Sequence, residues 1–173
     1  MRSSRSGAVV AATSAAVLGL AGIAVTASPA AAFTRNVEFK SVESNFGLIM
    51  SAAGNFSGAR VGVAADNNGS TQRWIQVGND SVANYMLAAS EFTPVGQCLD
   101  IENDSKAVDA NIVVRPCDGT ASQKWTLTQG RLLNRYSALY VQLPSGPEFN
   151  VTLKQTTVPE ADTPLSIKWI KSV

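Results

Sequence analysis

From residue 36 onward, apolar and polar side chains alternate with a period of two in runs of five to eight residues, and Gly, Asn, Asp and Pro punctuate the runs. The pattern predicts strands over 36–42, 46–51, 60–64, 71–77, 81–88, 97–102, 111–115 and 123–129, with a sharp turn at Asp66-Asn67-Asn68-Gly69. Residues 131–143 read as two further strands around Asn134-Arg135. A helix needs apolar residues at i, i+3, i+4 and i+7 over three turns, and beyond the first thirty or so residues no segment sustains that spacing. The expectation is an all-β chain.

The alternation repeats itself. ARVGVAADNNGSTQRW at 59–74 returns without a gap as ANIVVRPCDGTASQKW at 110–125, an offset of 51. Val61 and Val63 fall on Ile112 and Val114, and Gln72-Arg73-Trp74 falls on Gln123-Lys124-Trp125. A weaker third copy is approached through 149–154 and ends at Ile167-Lys168-Trp169, where Ile stands in place of Gln. Three short copies in one small chain favour a closed, pseudo-symmetric fold over a linear array, and the expectation is a β-trefoil with repeats at about 33–80, 81–131 and 132–173. Trp74, Trp125 and Trp169 then occupy the same step of each repeat. Burying some 150–250 Å² apiece at about 25 cal/mol per Å² contributes roughly 4–6 kcal/mol each before entropy, which assigns them to the core rather than to a ligand.

The N-terminal stretch obeys a different rule. Arg2 and Arg5 give a basic start, residues 7–27 are an apolar run of mostly Ala, Val and Leu, and Ala30-Ala31-Ala32 offers small residues for cleavage. Residues 1–32 therefore read as a signal peptide and 33–173 as one secreted domain, with no membrane attachment after cleavage. Losing Arg2 and Arg5 leaves 12 cationic side chains against 13 carboxylates, a net charge of −1 that points to no nucleic-acid partner. Two cysteines in an exported chain read as one disulfide, Cys98 to Cys117.

Cys98-Leu99-Asp100-Ile101, then Cys117-Asp118-Gly119, then Gln123-Lys124-Trp125 resembles the Cys-Leu-Asp to Gln-x-Trp signature of the ricin-type β-trefoil lectin family, most clearly in the middle repeat. The resemblance implies that Gln72 and Gln123 tie loops by amide hydrogen bonds, and that Trp169, lacking such a Gln, is held by packing. It also implies a sugar pocket built from an acid, a Gln, an aromatic and an Asn. In the middle repeat these positions hold Asp100, Val113, Arg115 and Ser122, so of the set the Asp alone remains. Met50 and Ala64 stand at the acid and aromatic positions of the first repeat and Val141 at the acid position of the third, so those sites read as empty. Asp100, Arg115, Ser122 and Gln123 are the candidate carbohydrate-binding residues. Asp100 also reads as a purely structural residue, a turn cap or a partner for a cation. With Arg115 in place of an aromatic, Asp100 is expected to face the guanidinium across the pocket mouth, and the ligand to be a weakly bound, acidic glycan.

The remaining chemistry is thin. The chain contains no His, which excludes His-dependent triads, and no spacing among its 13 acids singles out a hydrolytic pair. The acidic stretch at Glu102, Asp104 and Asp109 lacks the alternating loop of a Ca²⁺ site and reads as a solvated turn. No metal or cofactor is expected. The sequence thus predicts a secreted, monomeric, non-enzymatic lectin-like protein with one degenerate pocket. The alternative is a trefoil that recognises protein through its loops, as a protease inhibitor or surface interaction factor does.

Overall fold

The computed structural model describes residues 33–43, 47–144, 151–157 and 165–173, and the leader at 1–32 lies outside them. Twelve strands follow one another: β1 (Phe33–Ser41), β2 (Leu48–Ala52), β3 (Val61–Ala65), β4 (Trp74–Asn79), β5 (Val82–Leu87), β6 (Gln97–Ile101), β7 (Ile112–Pro116), β8 (Trp125–Thr128), β9 (Arg131–Asn134), β10 (Tyr140–Gln142), β11 (Lys154–Thr156) and β12 (Trp169–Ser172). The helical elements among the described residues are 3₁₀ turns of three residues each. None is long and apolar enough to cross a membrane.

The strands fall four to a repeat. β1 pairs with β4, β4 with β5, β5 with β8 and β8 with β9, while β12 returns to β1, so the first and last strands of each repeat form a six-stranded barrel. The Trp169 amide donates to the Gly130 carbonyl at 2.6 Å and joins the two ends of the third repeat. The inner strands make one hairpin per repeat, β2 with β3, β6 with β7 and β10 with β11, which together cap the barrel. This is the β-trefoil. Closure through β12 on β1 and the Trp169–Gly130 bond leaves less exposed ladder than an open sheet presents.

The core lies on the pseudo-three-fold axis. Trp74, Trp125 and Trp169 are all buried, with Phe39 and Tyr85 meeting edge to face at a centroid distance of 5.0 Å. Trp125 Nε1 donates to the Leu99 carbonyl at 3.0 Å and Trp169 Nε1 to the Val141 carbonyl at 3.2 Å. The third tryptophan is therefore held by a hydrogen bond as well as by packing, contrary to the expectation drawn from Ile167. Trp74 Nε1 is the one without a partner among the described residues, although its repeat keeps the Gln. The third repeat differs at its hairpin too, where the second strand begins at Lys154 rather than at 149, and Phe149 and Asn150 lie outside the described residues.

Equivalence between repeats follows from register. Ser51 pairs with Gly62, Asp100 with Val113 and Gln142 with Lys154. The bridges Arg60 to Val113, Asn111 to Lys154 and Thr152 to Gly62 relate the three hairpins to one another. Ser51 and Gln142 therefore occupy the acid position, not Met50 and Val141. Those two superpose on Leu99 and belong to the core cluster. A slip of one residue turns a strand's side chains to its other face. Neither Ser51 nor Gln142 is acidic, so the first and third pockets still lack the carboxylate.

Candidate functional site

The middle repeat assembles the candidate residues at the end of the β6–β7 hairpin. β6 places Asp100 opposite Val113 of β7, and the disulfide Cys98–Cys117, with Cα atoms 5.0 Å apart, ties the start of β6 to the residue just past β7. Gln123 closes the 3₁₀ turn (Ala121–Gln123) between β7 and β8 and is fully buried. Its amide is saturated: Oε1 accepts from the Asp118 and Gly119 amides at 3.1 and 3.2 Å, and Nε2 donates to the Pro116 carbonyl at 2.8 Å and to Asp100 Oδ2 at 3.1 Å. Gln72 does the same in the first repeat, accepting from the Asn67 amide at 2.9 Å and donating to the Ala65 carbonyl at 2.7 Å.

Asp100 is 1% exposed. Its Oδ1 accepts from the Ile101 amide at 2.7 Å, its Oδ2 takes Gln123, and Arg115 Nη1 lies 4.0 Å away. Burial raises its carboxyl above the usual range, and the nearby Ser122 hydroxyl, the hydrogen bonds from Ile101 and Gln123, and the Arg115 charge partly counter that. The guanidinium and carboxylate do face one another, as expected from the sequence, but over a carboxylate closed off from solvent.

The acid on the solvent side of Arg115 is Asp104, expected from the sequence to lie in a solvated turn. It accepts from Arg115 Nη1 at 3.2 Å, and its Oδ1 accepts the Ser122 hydroxyl proton at 2.8 Å. Ser122 Oγ in turn lies 3.1 Å from Thr120 Oγ1. Asp104 reaches this position because Asn103 and Asp104 both adopt left-handed backbone, φ 57° and 50°. Asn and Asp tolerate that conformation best among residues with a side chain, and strain of this kind concentrates at binding sites. The Asn-Asp pair after a strand was the available signal in the sequence.

Two hollows flank the Asp104–Arg115 pair. One, of about 250 Å³, is lined by Ser57, Gly58, Glu102, Asn103, Val113 and Arg115, and the other, of about 280 Å³, by Asp104, Thr120, Ala121, Ser122 and Tyr136. Asp118 also acts on Arg115 through its charge, and its own carboxyl is held below the usual range chiefly by the Thr120 amide. Arg115 is therefore surrounded by Asp100, Asp104 and Asp118. No cluster of three or more His, Cys, Asp or Glu among the described residues could hold a metal ion.

No protein-family model and no curated protein matches the sequence. Solved structures do match. The designed three-fold symmetric protein ThreeFoil is similar at TM-score 0.67 and 19% identity, over 78% of this chain and 96% of that one. The β-trefoil lectin of the Vibrio vulnificus hemolysin/cytolysin, solved with N-acetyl-D-lactosamine bound, is similar at TM-score 0.60 and 17% identity, over 81% and 96%. The Polyporus squamosus lectin, solved with a sialylated epitope, gives TM-score 0.64 and 16% identity over 79% of this chain and 48% of its own. An exo-β-1,3-galactanase from Clostridium thermocellum is matched at TM-score 0.64 and 18% identity, and this chain covers 30% of that enzyme's length. The chain thus has the β-trefoil fold shared by these lectins, and its Gln-x-Trp repeats resemble the ricin-type branch of that fold.

Proposed function

We propose that this chain is a secreted, lectin-like carbohydrate-binding protein whose ligand meets the middle repeat at Asp104, Arg115 and Ser122, over a buried floor of Asp100 and Gln123. The observation that carries the reading is the layered acid arrangement. The Asp100–Gln123 pair of the family motif is intact beneath, and Asp104 and Thr120, joined through the buried Ser122 hydroxyl, present polar groups to solvent above it. Several of the structural neighbours are lectins solved with sugars, which supports glycan binding in general. Secretion rests on the basic, apolar, small-residue leader.

The charge balance favours a neutral saccharide over the acidic glycan suggested by Arg115 alone. The guanidinium is already met by Asp104 at 3.2 Å and Asp100 at 4.0 Å and feels Asp118 as well, so an incoming carboxylate has to displace an existing partner. Binding is preferred to catalysis because Asp100, the acid with the raised pKa, is shut from solvent with donors on both oxygens. A single shallow site of a few hydrogen bonds gives a Kd of about 0.1–10 mM, or about 3–5 kcal/mol.

A glycan array, followed by titration with methyl α-D-galactoside and with D-glucuronic acid, tests this reading. The neutral sugar should bind better, and Asp104→Asn, which keeps a residue suited to left-handed backbone but removes the charge, should weaken it about fivefold or more. Preference for glucuronic acid, or unchanged binding in Asp104→Asn, overturns the assignment.

One observation favours the second reading, recognition of protein. Phe92 is 93% exposed at the tip of a braced loop. Thr93 Oγ1 donates to the Ser90 and Val95 carbonyls, and the Gln97 amide donates to the buried Ser90 hydroxyl at 2.7 Å, directly beside Cys98. This reading predicts a blank glycan array and a protein partner lost on Phe92→Ser.

A further inference from the structure

The family's aromatic position holds Arg115, and yet an aromatic ring does line the site. Tyr136 comes from the turn between β9 and β10, in the third repeat, and forms a wall of the 280 Å³ hollow together with Asp104, Thr120, Ala121 and Ser122. The turn is fastened to the middle repeat by Asn134. Its Oδ1 accepts from the Tyr136 and Ser137 amides at 2.9 and 3.2 Å, and its Nδ2 donates to the Ser122 carbonyl at 2.6 Å. Asn134 is fully buried, so the frame sits in a dry environment where such bonds hold well. Ser122 thereby links both sides of the hollow: its carbonyl takes the Tyr136 turn and its hydroxyl takes Asp104.

The ring itself is positioned. Lys106 Nζ stands 4.2 Å from its centroid, a cation–π contact, and Tyr136 nevertheless remains 36% exposed. A saccharide site needs a polar rim for hydroxyls and a flat apolar face for the C–H side of the ring. The Asp104–Ser122–Thr120 rim supplies the first and the Tyr136 face that Lys106 leaves free supplies the second, and a ring packed by Lys106 on a backbone turn fixed by Asn134 loses little freedom when a ligand arrives.

We propose that Tyr136 is the aromatic platform of this site, supplied across the repeat boundary in place of the aromatic missing at position 115. The ligand class is a neutral pyranoside lying with its C–H face on the Tyr136 ring and its hydroxyls toward Asp104, Ser122 and Thr120. The assignment rests on the carbohydrate-binding reading above and adds a residue that the motif does not contain.

The test is ligand-observed NMR and titration of the folded domain with methyl α-D-galactoside and N-acetyl-D-lactosamine. Tyr136→Phe should stay within about threefold of the parent, because the ring and not the hydroxyl is used. Tyr136→Leu, which keeps apolar bulk in the turn without a flat face, and Tyr136→Ala should each weaken binding about tenfold. Amide spectra of each variant confirm that it is folded. If Tyr136→Leu binds like the parent while Asp104→Asn weakens binding, the platform is refuted and the pocket stands. If the parent binds neither sugar, both assignments fall.

Discussion

Gln123 Nε2 donates to Asp100 Oδ2 at 3.1 Å, so the residue that closes the 3₁₀ turn before β8 also orients the single acid of the Cys-Leu-Asp motif. The same amide group holds the Asp118 and Gly119 amides and the Pro116 carbonyl. Replacing Gln123 with Ala orphans a buried carboxylate oxygen and two backbone donors at once. At about 1 kcal/mol per lost bond, with a desolvation penalty of about 1–3 kcal/mol for a buried group left unsatisfied, Gln123→Ala should cost about 3–5 kcal/mol. Urea denaturation measures this, and a cost below about 1 kcal/mol would show that the amide network contributes little.

The Asp100 carboxyl should titrate above its ordinary value of 3.8, since burial outweighs its hydrogen bonds and the Arg115 charge. A carboxyl whose folded pKa exceeds its unfolded one binds its proton more tightly in the fold. Its contribution to stability is then greatest at low pH and declines as pH rises from about 3.8 through the folded value. The stability difference between the parent and Asp100→Asn should shift against the parent over that window and be flat above it. Arg115→Ala removes a positive charge that favours the carboxylate and should raise the midpoint further. Carboxyl-carbon NMR reports both, and a midpoint at or below 3.8 contradicts the account.

Cys98 and Cys117 are 19 positions apart, and closing a loop of that size in the unfolded chain is worth roughly 3 kcal/mol in the loop-entropy description. Cys117→Ser should lower stability by about 2–4 kcal/mol. It should also loosen the Gly96 carbonyl that accepts from the Cys117 amide at 2.8 Å, and with it the foot of the Phe92 loop. Alkylation of the unreduced protein checks the pairing, since two reactive thiols would contradict it.

The fold was legible because its determinants are local and repeated. Val61, Val63, Ile112 and Val114 alternate on one face, and the Gln-x-Trp steps recur at a fixed offset. The hairpins were less legible because their loops differ in length. The acid position and its partner across the hairpin are 11 residues apart in the first repeat, 13 in the second and 12 in the third. An ungapped alignment anchored on Trp sets Ile49 and Pro144 against Asp100, two residues from Ser51 and Gln142 in each case, so that spacing does not place the acid position, and Met50 and Val141 each miss it by one. The candidate site was legible as far as the buried Asp100–Gln123 contact, whose residues the motif contains. Asp104 and Tyr136 reach it from a left-handed turn and from another repeat, and sequence spacing does not report either approach.

Processing should leave Phe33 at or near the mature N-terminus. Ala30-Ala31-Ala32 supplies the small residues, and β1 begins at Phe33, which pairs with Val77. Cleavage farther downstream would shorten a barrel strand. Intact mass of the protein from culture medium checks the position, and recovery with the leader attached, in membranes alone, would contradict it.

The three tryptophans share one step of the repeat but not one hydrogen bond, and that difference should be measurable. Trp125 Nε1 donates to Leu99 and Trp169 Nε1 to Val141, whereas Trp74 Nε1 is buried with no partner among the described residues. Substitution by Phe removes indole bulk from all three sites and so imposes a similar packing cost on each. At Trp125 and Trp169 it also breaks a bond and leaves a buried carbonyl unsatisfied. At Trp74 it removes a donor that already carries a desolvation penalty. Trp74→Phe should therefore be the mildest of the three, by about 1–3 kcal/mol relative to Trp125→Phe. Trp169→Phe should fall nearer to Trp125→Phe, because its bond is only slightly longer, 3.2 against 3.0 Å. Urea midpoints at constant m-value give the ranking. If Trp74→Phe proves as costly as Trp125→Phe, the first indole has a partner in solution, and the asymmetry between the repeats lies elsewhere.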